Sequence, residues 1–181
     1  MSKKIDNTRM RAYFIEDPNG WFHIREIAKL AGLSPTTATS YLEDFRKRGI
    51  LLRKKERNNV LYKANSESYN YKDLKLYYNI KKFRDSGLIN FLNEEFNYPK
   101  AIILFGSFRK AENTKESDVD LFILSPIKKE ASLENFEKKL KHKIQLFVYS
   151  REEFDNLKKK NKELLNNILN GISLDGFLEV F

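Results

Sequence analysis

The sequence predicts an α+β protein with two small domains joined by a helical connector. Three changes of pattern along the chain support this prediction. Residues 1–65 read as helices followed by a hairpin, residues 66–98 show helical periodicity rich in aromatic side chains, and residues 99–181 open with an apolar strand. A chain of 181 residues with 41% hydrophobic residues is large and apolar enough for two such cores.

The composition excludes several classes of protein. The chain has no cysteine, so disulfides and thiolate metal sites are excluded and a reducing compartment is expected. No apolar run approaches the roughly 18 residues that span a bilayer, and the N-terminus lacks a signal-peptide core. We therefore expect a cytoplasmic protein with no membrane partner.

Positive charge is concentrated in the first third of the chain. The net charge is +9 in total, and residues 1–65 hold 14 Lys and Arg against 7 Asp and Glu. Such a local excess is what contact with a phosphate backbone requires. A solvated, lysine-rich surface is the alternative interpretation.

The first domain starts with a predicted helix over Ile5–Ile15. The turn sequence Asp17–Gly20 ends that helix, and a short extended segment follows over Trp21–Ile24. The next helix covers Arg25–Leu33. Its apolar face is predicted to contain Ile27, Leu30 and Ala31, with Gly32 placed as a C-terminal cap.

Ser34 and Pro35 predict the start of another helix, because serine caps N-termini and proline is favoured at the first helical position. This helix ends at Gly49. Two helices joined by a short turn that contains glycine are typical of a helix-turn-helix. The apolar side of the second helix comprises Ala38, Leu42 and Phe45.

A β-hairpin is predicted after Gly49. Its strands cover residues 50–57 and 60–64, and Asn58-Asn59 suits the tight turn because asparagine tolerates positive φ. The hairpin carries the basic residues Arg53, Lys54, Lys55, Arg57 and Lys63.

The stretch IREIAKLAGLSPTTATSYLEDFRKRGIL resembles the winged helix-turn-helix family, and the resemblance covers about residues 5–65. It implies a transcription regulator whose partner is double-stranded DNA, with the hairpin as the wing. None of the helix residues that the resemblance implies as DNA contacts is an Arg or Asn that would specify a base. A winged helix used for protein contacts or dimerisation is the alternative. The implied DNA-binding residues are Ser34, Pro35, Thr36, Thr37, Thr39, Ser40 and Tyr41 on the helix, and Arg53, Lys54, Lys55 and Arg57 on the wing.

The connector is predicted to be helical over residues 71–96, with a break at Ser86-Gly87. Its aromatic-rich face must be buried against another surface. Core packing between the domains and a homodimer interface both remain open. The apolar face comprises Leu74, Tyr77, Tyr78, Phe83, Leu88, Phe91, Leu92 and Phe96.

The second domain opens with a buried strand, Ala101–Phe105, which leads directly into Gly106-Ser107. Asp118 follows Ser107 by eleven residues, and Asp120 lies in the next strand. Side chains alternate along a strand, so the two carboxylates share one face about 7 Å apart and are suited to a divalent metal. Gly106 permits close backbone approach, and Ser107 offers a hydroxyl and an N–H to a phosphate.

The segment LFGSFRKAENTKESDVDLFIL resembles the nucleotidyltransferase superfamily related to DNA polymerase β, especially its minimal members. The resemblance implies an α/β domain with a mixed, mostly antiparallel sheet. It also implies Asp118 and Asp120 as catalytic residues and Mg²⁺ ligands. A nucleoside triphosphate would be bound by Gly106 and Ser107. Arg109, just beyond them, is a further candidate for a phosphate contact, with a solvated helix start as the alternative.

Two positions depart from the family pattern. Ala111 stands where the family often has glycine, and Gln145, in the predicted strand over residues 143–149, stands where the family places a third carboxylate. An amide cannot act as a base or add charge for a second metal. After this strand the pattern is helical from Phe154 to Leu169, with Gly171 as a cap.

Two functions follow from the sequence, and whether the chain is an enzyme stays open between them. The first is a DNA-binding regulator whose nucleotidyltransferase-like domain binds nucleotide and metal with weak or no turnover. The second is an active Mg²⁺-dependent nucleotidyltransferase that modifies a nucleic acid or a protein, as antitoxin-like minimal members do.

Overall fold

The computed structural model describes residues 8–180, except for the side chain of Thr8. The first three residues of the helix predicted from Ile5 therefore lie outside the described residues. The chain divides into two compact units, residues 1–75 and residues 76–181. Each unit has its own hydrophobic core.

The first unit packs three helices against a small antiparallel sheet in the strand order β1-β3-β2. Its core includes Met10, Ile27, Leu42, Phe45 and Tyr62. The elements are α1 (Thr8–Glu16), β1 (Phe22–His23), α2 (Ile24–Ala31), α3 (Pro35–Lys47), β2 (Leu51–Glu56) and β3 (Asn59–Ala64).

The predicted turn between α2 and α3 is confirmed. Gly32 ends α2 with a left-handed φ of 67°, which glycine adopts without a steric cost. The Ser34 side chain accepts a hydrogen bond of 3.1 Å from the Thr37 N–H, and Pro35 occupies the first helical position. Ala38, Leu42 and Phe45 are buried as predicted.

Three details of the first unit differ from prediction. Leu30 is 42% exposed because the buried stripe of α2 runs through Ala28. The extended segment predicted over Trp21–Ile24 shortens to two residues, since Ile24 already begins α2. The hairpin turn lies one residue earlier than predicted: Arg57 takes the positive φ, of 52°, and Asn59 pairs with Glu56.

The connector forms α4 (Tyr69–Ser86) and α5 (Leu88–Glu95). Gly87 separates them with a φ of 83°, so the predicted break is confirmed. Tyr77, predicted on the buried face, is 64% exposed. Helical spacing correctly predicted that Phe83, Leu88 and Phe96 are buried. The buried face of the connector is narrower than the predicted apolar face, which also included Tyr77.

The second unit is built on a four-stranded sheet in the order β6-β5-β4-β7. β4 is antiparallel to β5 and β7, and β5 is parallel to β6, so the predicted mixed sheet is confirmed. The elements are β4 (Ala101–Phe105), α6 (Gly106–Lys110), β5 (Val119–Leu124), α7 (Glu134–Leu140), β6 (Ile144–Tyr149), α8 (Arg151–Lys160), α9 (Lys162–Leu169) and β7 (Ile172–Gly176).

Strand β5 separates two hydrophobic clusters. Val119, Leu121 and Ile123 belong to the cluster that contains residues of α5 and α7. Phe122 and Leu124 belong to the cluster that contains residues of α8 and α9. Alternation along the strand thus assigns Asp120 to the face of Phe122.

The C-terminal strand β7 was not predicted. Helical spacing over residues 154–169 is confirmed, although Asn161 divides it into two helices and Leu169 is exposed. A Cβ on Gly171 would lie 2.4 Å from Ile103 Cγ2, so Gly171 lets the chain pass close to β4. Across residues 8–180, no helix combines the length and apolar character needed to cross a membrane.

Candidate functional site

Gly106 turns the chain directly against the carboxylate of Asp120. β4 ends at Phe105, which is the registered partner of Asp120 on β5. Gly106 follows with a φ of +68°, and a Cβ at this position would lie 2.1 Å from Asp120 Oδ2. Only glycine therefore allows both this backbone conformation and this close approach.

Gln145 lies beside the pair of aspartates. It is the registered partner of Asp120 in the parallel pairing of β5 and β6. Its Nε2 donates a hydrogen bond of 2.7 Å to Asp118 Oδ2. The structure thus confirms the strand predicted around Gln145 and brings its amide to the carboxylate pair.

The environment of Asp120 disfavours negative charge. Partial burial raises the pKa of the Asp120 carboxyl, and the neighbouring Asp118 raises it further. A bound cation would relieve both effects.

Two carboxylates are a donor set that suits Mg²⁺, which is commonly held by one or two carboxylates together with substrate phosphates and water. Among residues 8–180 there is no group of three or more His, Cys, Asp or Glu side chains that could hold a metal without such additional ligands. Asp118 and Asp120 therefore fit a metal that arrives with a nucleotide better than a permanent all-protein metal site.

The remaining predicted nucleotide contacts lie on and after α6. Ser107 is half-buried, and its carbonyl oxygen accepts a hydrogen bond of 2.9 Å from the Glu112 N–H, which closes the loop. Arg109 is exposed, and its Nε donates to the Asn170 carbonyl oxygen at 2.6 Å. This bond orients the Arg109 side chain towards the end of α9.

Ala111 ends α6 with a φ of 58°. The left-handed conformation at this position explains in physical terms why glycine would suit it. Alanine keeps the same turn at a steric cost of roughly 1–2 kcal/mol. The substitution noted in the sequence therefore leaves the loop geometry intact.

An open cleft of about 440 Å³ lies beside Asp118. His142 lines it, with Nδ1 at 2.9 Å from the Ser117 carbonyl oxygen and its ring edge-to-face with Phe108. Because a carbonyl only accepts, Nδ1 carries the proton in this contact. The His142 side chain is half-buried, and these two contacts hold it in the wall of the cleft.

An aromatic pair beside the site was missed by the sequence reasoning. Phe105 and Phe147 pack edge-to-face with ring centroids 5.2 Å apart. Phe105 precedes Gly106, and Phe147 lies two residues after Gln145. Alternation along β6, read from the predicted position of Gln145, was the signal that could have identified Phe147.

In the first unit, the predicted DNA-binding residues of α3 divide by exposure. Ser34, Pro35, Thr36 and Ser40 are exposed, whereas Thr37, Thr39 and Tyr41 are half-buried. The hydroxyls of Ser34 and Thr37 lie 2.8 Å apart, and Thr39 Oγ1 donates to the Pro35 carbonyl oxygen at 2.8 Å. Thr36 and Ser40 are thus one helical turn apart on the exposed side of α3.

Glu43 ties α3 to the hairpin, a role that the sequence reasoning missed. Its carboxylate accepts a 2.5 Å hydrogen bond from the Tyr62 hydroxyl and ion-pairs with Arg46 at 2.8 Å and Arg53 at 3.5 Å. The bond from Tyr62 is the main cause that lowers the pKa of Glu43, followed by the bond from Arg46. Burial, and then Glu43, raises the pKa of Tyr62 to about 12.

The basic residues of the hairpin are not equivalent. Arg53 pairs with Glu43, and Lys54 pairs with Glu56 at 3.1 Å while its Nζ lies 4.6 Å from the centroid of the Trp21 ring. Lys55 and Arg57 are exposed at the end of the hairpin. Lys63 is half-buried on β3.

Comparison with known families identifies the class of the second unit. Residues 85–169, just under half of the chain, match the model of the nucleotidyltransferase domain family. No curated protein matches the chain. The chain therefore contains a C-terminal nucleotidyltransferase domain, which implies a nucleotide substrate.

Gly106→Ala is expected to destabilise the protein by more than the roughly 1–2 kcal/mol that a left-handed alanine costs. The added Cβ must also displace the Asp120 carboxylate. Urea unfolding of the full chain measures the loss. Gly87→Ala is the matched control, because Gly87 has a φ of +83° and a Cβ added there would meet nothing within 4 Å.

The same Gly106→Ala change in an Asp120→Ala background separates the two costs. We expect the loss there to fall to that of Gly87→Ala, because the carboxylate is gone. An equal loss with and without Asp120 would contradict the close approach.

Glu43→Gln is expected to destabilise the first unit at pH 7 by up to about 1 kcal/mol, through loss of charge-assisted bonds on a partly exposed group. The folded pKa of Glu43 is lowered, so its contribution is present above the unfolded pKa and is lost as pH falls through the folded pKa. The difference from wild type in urea unfolding should therefore shrink on acidification below about pH 4.5.

Asp44→Asn is the control for this measurement, since Asp44 and Arg48 form an exposed pair 3.6 Å apart. We expect it to change stability little at either pH. A Glu43→Gln effect that does not depend on pH would refute the ionic role of Glu43.

Proposed function

We propose that the chain is a DNA-binding transcription regulator whose nucleotidyltransferase domain binds a nucleoside triphosphate with Mg²⁺ and turns it over weakly or not at all. The hydrogen bond from Gln145 to Asp118 carries this proposal. Gln145 stands where a third carboxylate is expected, and an amide neither accepts a proton nor adds negative charge for a second metal.

The geometry around Gly106 supports nucleotide binding. Asp118 and Asp120 would hold Mg²⁺, which neutralises the charge of the triphosphate when bound. Ser107 follows the glycine that touches Asp120, so its hydroxyl and N–H are close to where the phosphates of a metal-bound nucleotide would lie. Arg109 is a further phosphate contact through its Nη atoms, because its bond to the Asn170 carbonyl oxygen is made by Nε.

The first unit supports DNA binding through a winged helix-turn-helix. α3 follows α2 after a short turn, β2 and β3 form the wing, and residues 1–65 hold twice as many basic as acidic residues. In this fold the second helix enters the major groove and the wing contacts phosphates. Thr36 and Ser40 are exposed candidates for helix contacts, and Lys55 and Arg57 are exposed candidates for wing contacts.

We assign DNA binding to residues 1–65, the connector to residues 66–98 and nucleotide binding to residues 99–181, in a cytoplasmic protein. A homodimer held by the connector is part of this proposal. Size-exclusion chromatography with light scattering tests it, and a monomer at every accessible concentration would exclude it.

The second candidate function is active nucleotidyl transfer, favoured by the presence of both Asp118 and Asp120 in a nucleotidyltransferase domain. An acceptor hydroxyl oxygen would form a bond to the α-phosphorus of the triphosphate. The bond between that phosphorus and the oxygen bridging to the β-phosphorus would break, and pyrophosphate would leave. The hydroxyl proton would pass to water, since Gln145 cannot accept it.

Incubation with labelled nucleoside triphosphates and Mg²⁺ tests the nucleotide site. We expect the wild type to bind nucleotide and to show at most weak transfer or hydrolysis. Asp118→Asn/Asp120→Asn should lose Mg²⁺-dependent nucleotide binding, because the metal then lacks its protein ligands. Asp85→Asn, which removes an exposed carboxylate paired with Lys81, is the matched control and should bind as the wild type does.

Gln145→Glu extends the same assay. A carboxylate at this position restores a general base, and we expect turnover to rise by about 10²-fold. Robust transfer by the wild type that depends on Asp118 and Asp120 would overturn the proposal of weak turnover and establish the second candidate.

Duplex DNA binding, followed by fluorescence anisotropy, tests the first unit. Binding should weaken as salt rises, and Lys55→Ala/Arg57→Ala should reduce the slope of log K against log salt by about 2. Lys54→Ala is the matched control with a smaller expected effect, since Lys54 is paired with Glu56 and packed on Trp21. Binding that responds neither to salt nor to the double substitution would contradict the wing assignment.

A further inference from the structure

The groups of the candidate site are ordered across three neighbouring strands. Gly106 and Ser107 follow β4, Asp118 immediately precedes β5, and Asp120 and Gln145 are the second residues of β5 and β6. In an in-line displacement the attacking group lies opposite the leaving pyrophosphate. With phosphates next to β4, the opposite side of the carboxylate pair is the side of β6.

We propose that the acceptor or effector of this domain is an extended protein segment that pairs as an additional strand with the outer edge of β6. This inference rests on the proposed nucleotide site at Asp118 and Asp120. A segment paired along β6 would carry one of its side chains past Gln145, next to the two carboxylates.

The backbone of β6 supports strand addition. The Val119 N–H bonds to the Lys143 carbonyl oxygen at 2.8 Å, and the Ser125 N–H bonds to the Tyr149 carbonyl oxygen at 3.0 Å. In a parallel ladder this register directs the backbone groups of Gln145, Phe147 and Tyr149 towards β5. The N–H and C=O groups of the intervening residues then face outwards.

The outward groups that remain are those of Leu146 and Val148. Glu137 Oε1 already accepts the Ile144 N–H at 3.0 Å. Within residues 8–180 no strand lies beyond β6 in its sheet. An edge of this kind is a template for main-chain hydrogen bonds from another strand.

An open cleft of about 680 Å³ runs along the same edge between β6 and α8. Four consecutive residues of β6, Leu146 to Tyr149, line it, and these residues span about 10 Å at the usual rise per residue. Asn156, Lys160 and Asn161 line its other side, on α8 and at its C-terminal end. The cleft therefore has the length and the apolar floor for about four residues of extended peptide.

The charges in the cleft favour a protein over a nucleic acid. Lys128 and Lys160 are its cations, and Lys128 is paired with Glu153 across the cleft. A groove for single-stranded nucleic acid combines many unpaired cations with stacked aromatic residues. Phe147 and Tyr149 also line the cleft, but their rings pack against Phe105 and Phe122. One paired and one further lysine supply too little positive charge for such a groove.

Binding of peptide and oligonucleotide probes to the full chain tests the proposal. The peptide probe is a fluorescein-labelled pool of ten-residue peptides that alternate Val, Ile or Thr with random residues around a central Ser, Thr or Tyr. The oligonucleotide probes are mixed-sequence single-stranded DNA and RNA of 20 nucleotides. We expect the peptide pool to bind, and hydrogen exchange of the Leu146 and Val148 amides to slow at least tenfold when it is bound.

Val148→Pro removes one outward N–H, and edge positions of this kind tolerate proline. We expect it to weaken peptide binding about tenfold, the effect of one hydrogen bond of about 1.4 kcal/mol. Val148→Ala keeps the N–H and removes most of the side chain, so it is the matched control and should change binding less than threefold. Should Val148→Pro unfold, the exchange of the wild-type amides decides the question.

Three results would overturn the proposal. Tighter binding of an oligonucleotide at this edge would identify a nucleic-acid acceptor. Slowed exchange that depends on protein concentration without any probe would identify a second copy of the chain. Peptide binding that leaves the Leu146 and Val148 amides unprotected, or no binding at all, would exclude strand addition here.

Failure of the nucleotide site is distinguished by a separate result. In Asp118→Asn/Asp120→Asn, peptide protection at β6 should persist while Mg²⁺-dependent nucleotide binding is lost. Wild-type protein that binds peptide at β6 but no nucleotide would refute the proposed function and leave the edge as a peptide site alone.

Discussion

The contact between the Gly106 backbone and the Asp120 carboxylate is the constraint on which the second unit depends. β4 and β5 pair so that Phe105 lies opposite Asp120, and the next residue must turn with a positive φ in the space beside that carboxylate. No side chain fits there, because its first atom would lie 2.1 Å from Asp120 Oδ2. The same turn fixes where Ser107 and α6 begin, so the loop proposed to bind phosphate and the carboxylates proposed to hold Mg²⁺ share one geometric origin.

Placing two carboxylates beside such a turn has an electrostatic consequence. Burial and then Asp118 raise the pKa of Asp120, which means that its ionised form is less favourable here than in water and that a nearby cation would stabilise it. Gln145 relieves part of this cost by donating to Asp118, whereas a third carboxylate at its position would add to the repulsion. In the proposed function, this arrangement would favour reversible binding of a metal-nucleotide complex and would lack the proton acceptor that fast transfer uses.

The sequence predicted correctly those features that depend on interactions between residues close together in the chain. The caps at Gly32 and Ser34 and the break at Gly87 each depend on residues within one helical turn of each other. The strand around Gln145 was indicated by a short run of apolar and aromatic residues. The sequence could not reveal β7 in the same way, because Ile172 pairs with Leu104, far away along the chain. The hydrogen bond from Gln145 to Asp118 is likewise a contact between strands. Its location followed from the family pattern, but its partner did not.

The ion pairs of the first unit limit which charges could act on DNA. Glu43 lies on the helix proposed to read the groove, and it already holds Arg46, Arg53 and the Tyr62 hydroxyl. If Arg53 moved to a phosphate, the Glu43 carboxylate would lose one of its positively charged partners while close to the negative charge of the DNA. This electrostatic cost would oppose the free energy gained from the new phosphate contact. The exposed residues Lys55 and Arg57 carry no such penalty from Glu43. Glu43 therefore ties α3 to the hairpin, and, for the proposed DNA binding, the net charge of residues 1–65 overstates the number of cations available to phosphates.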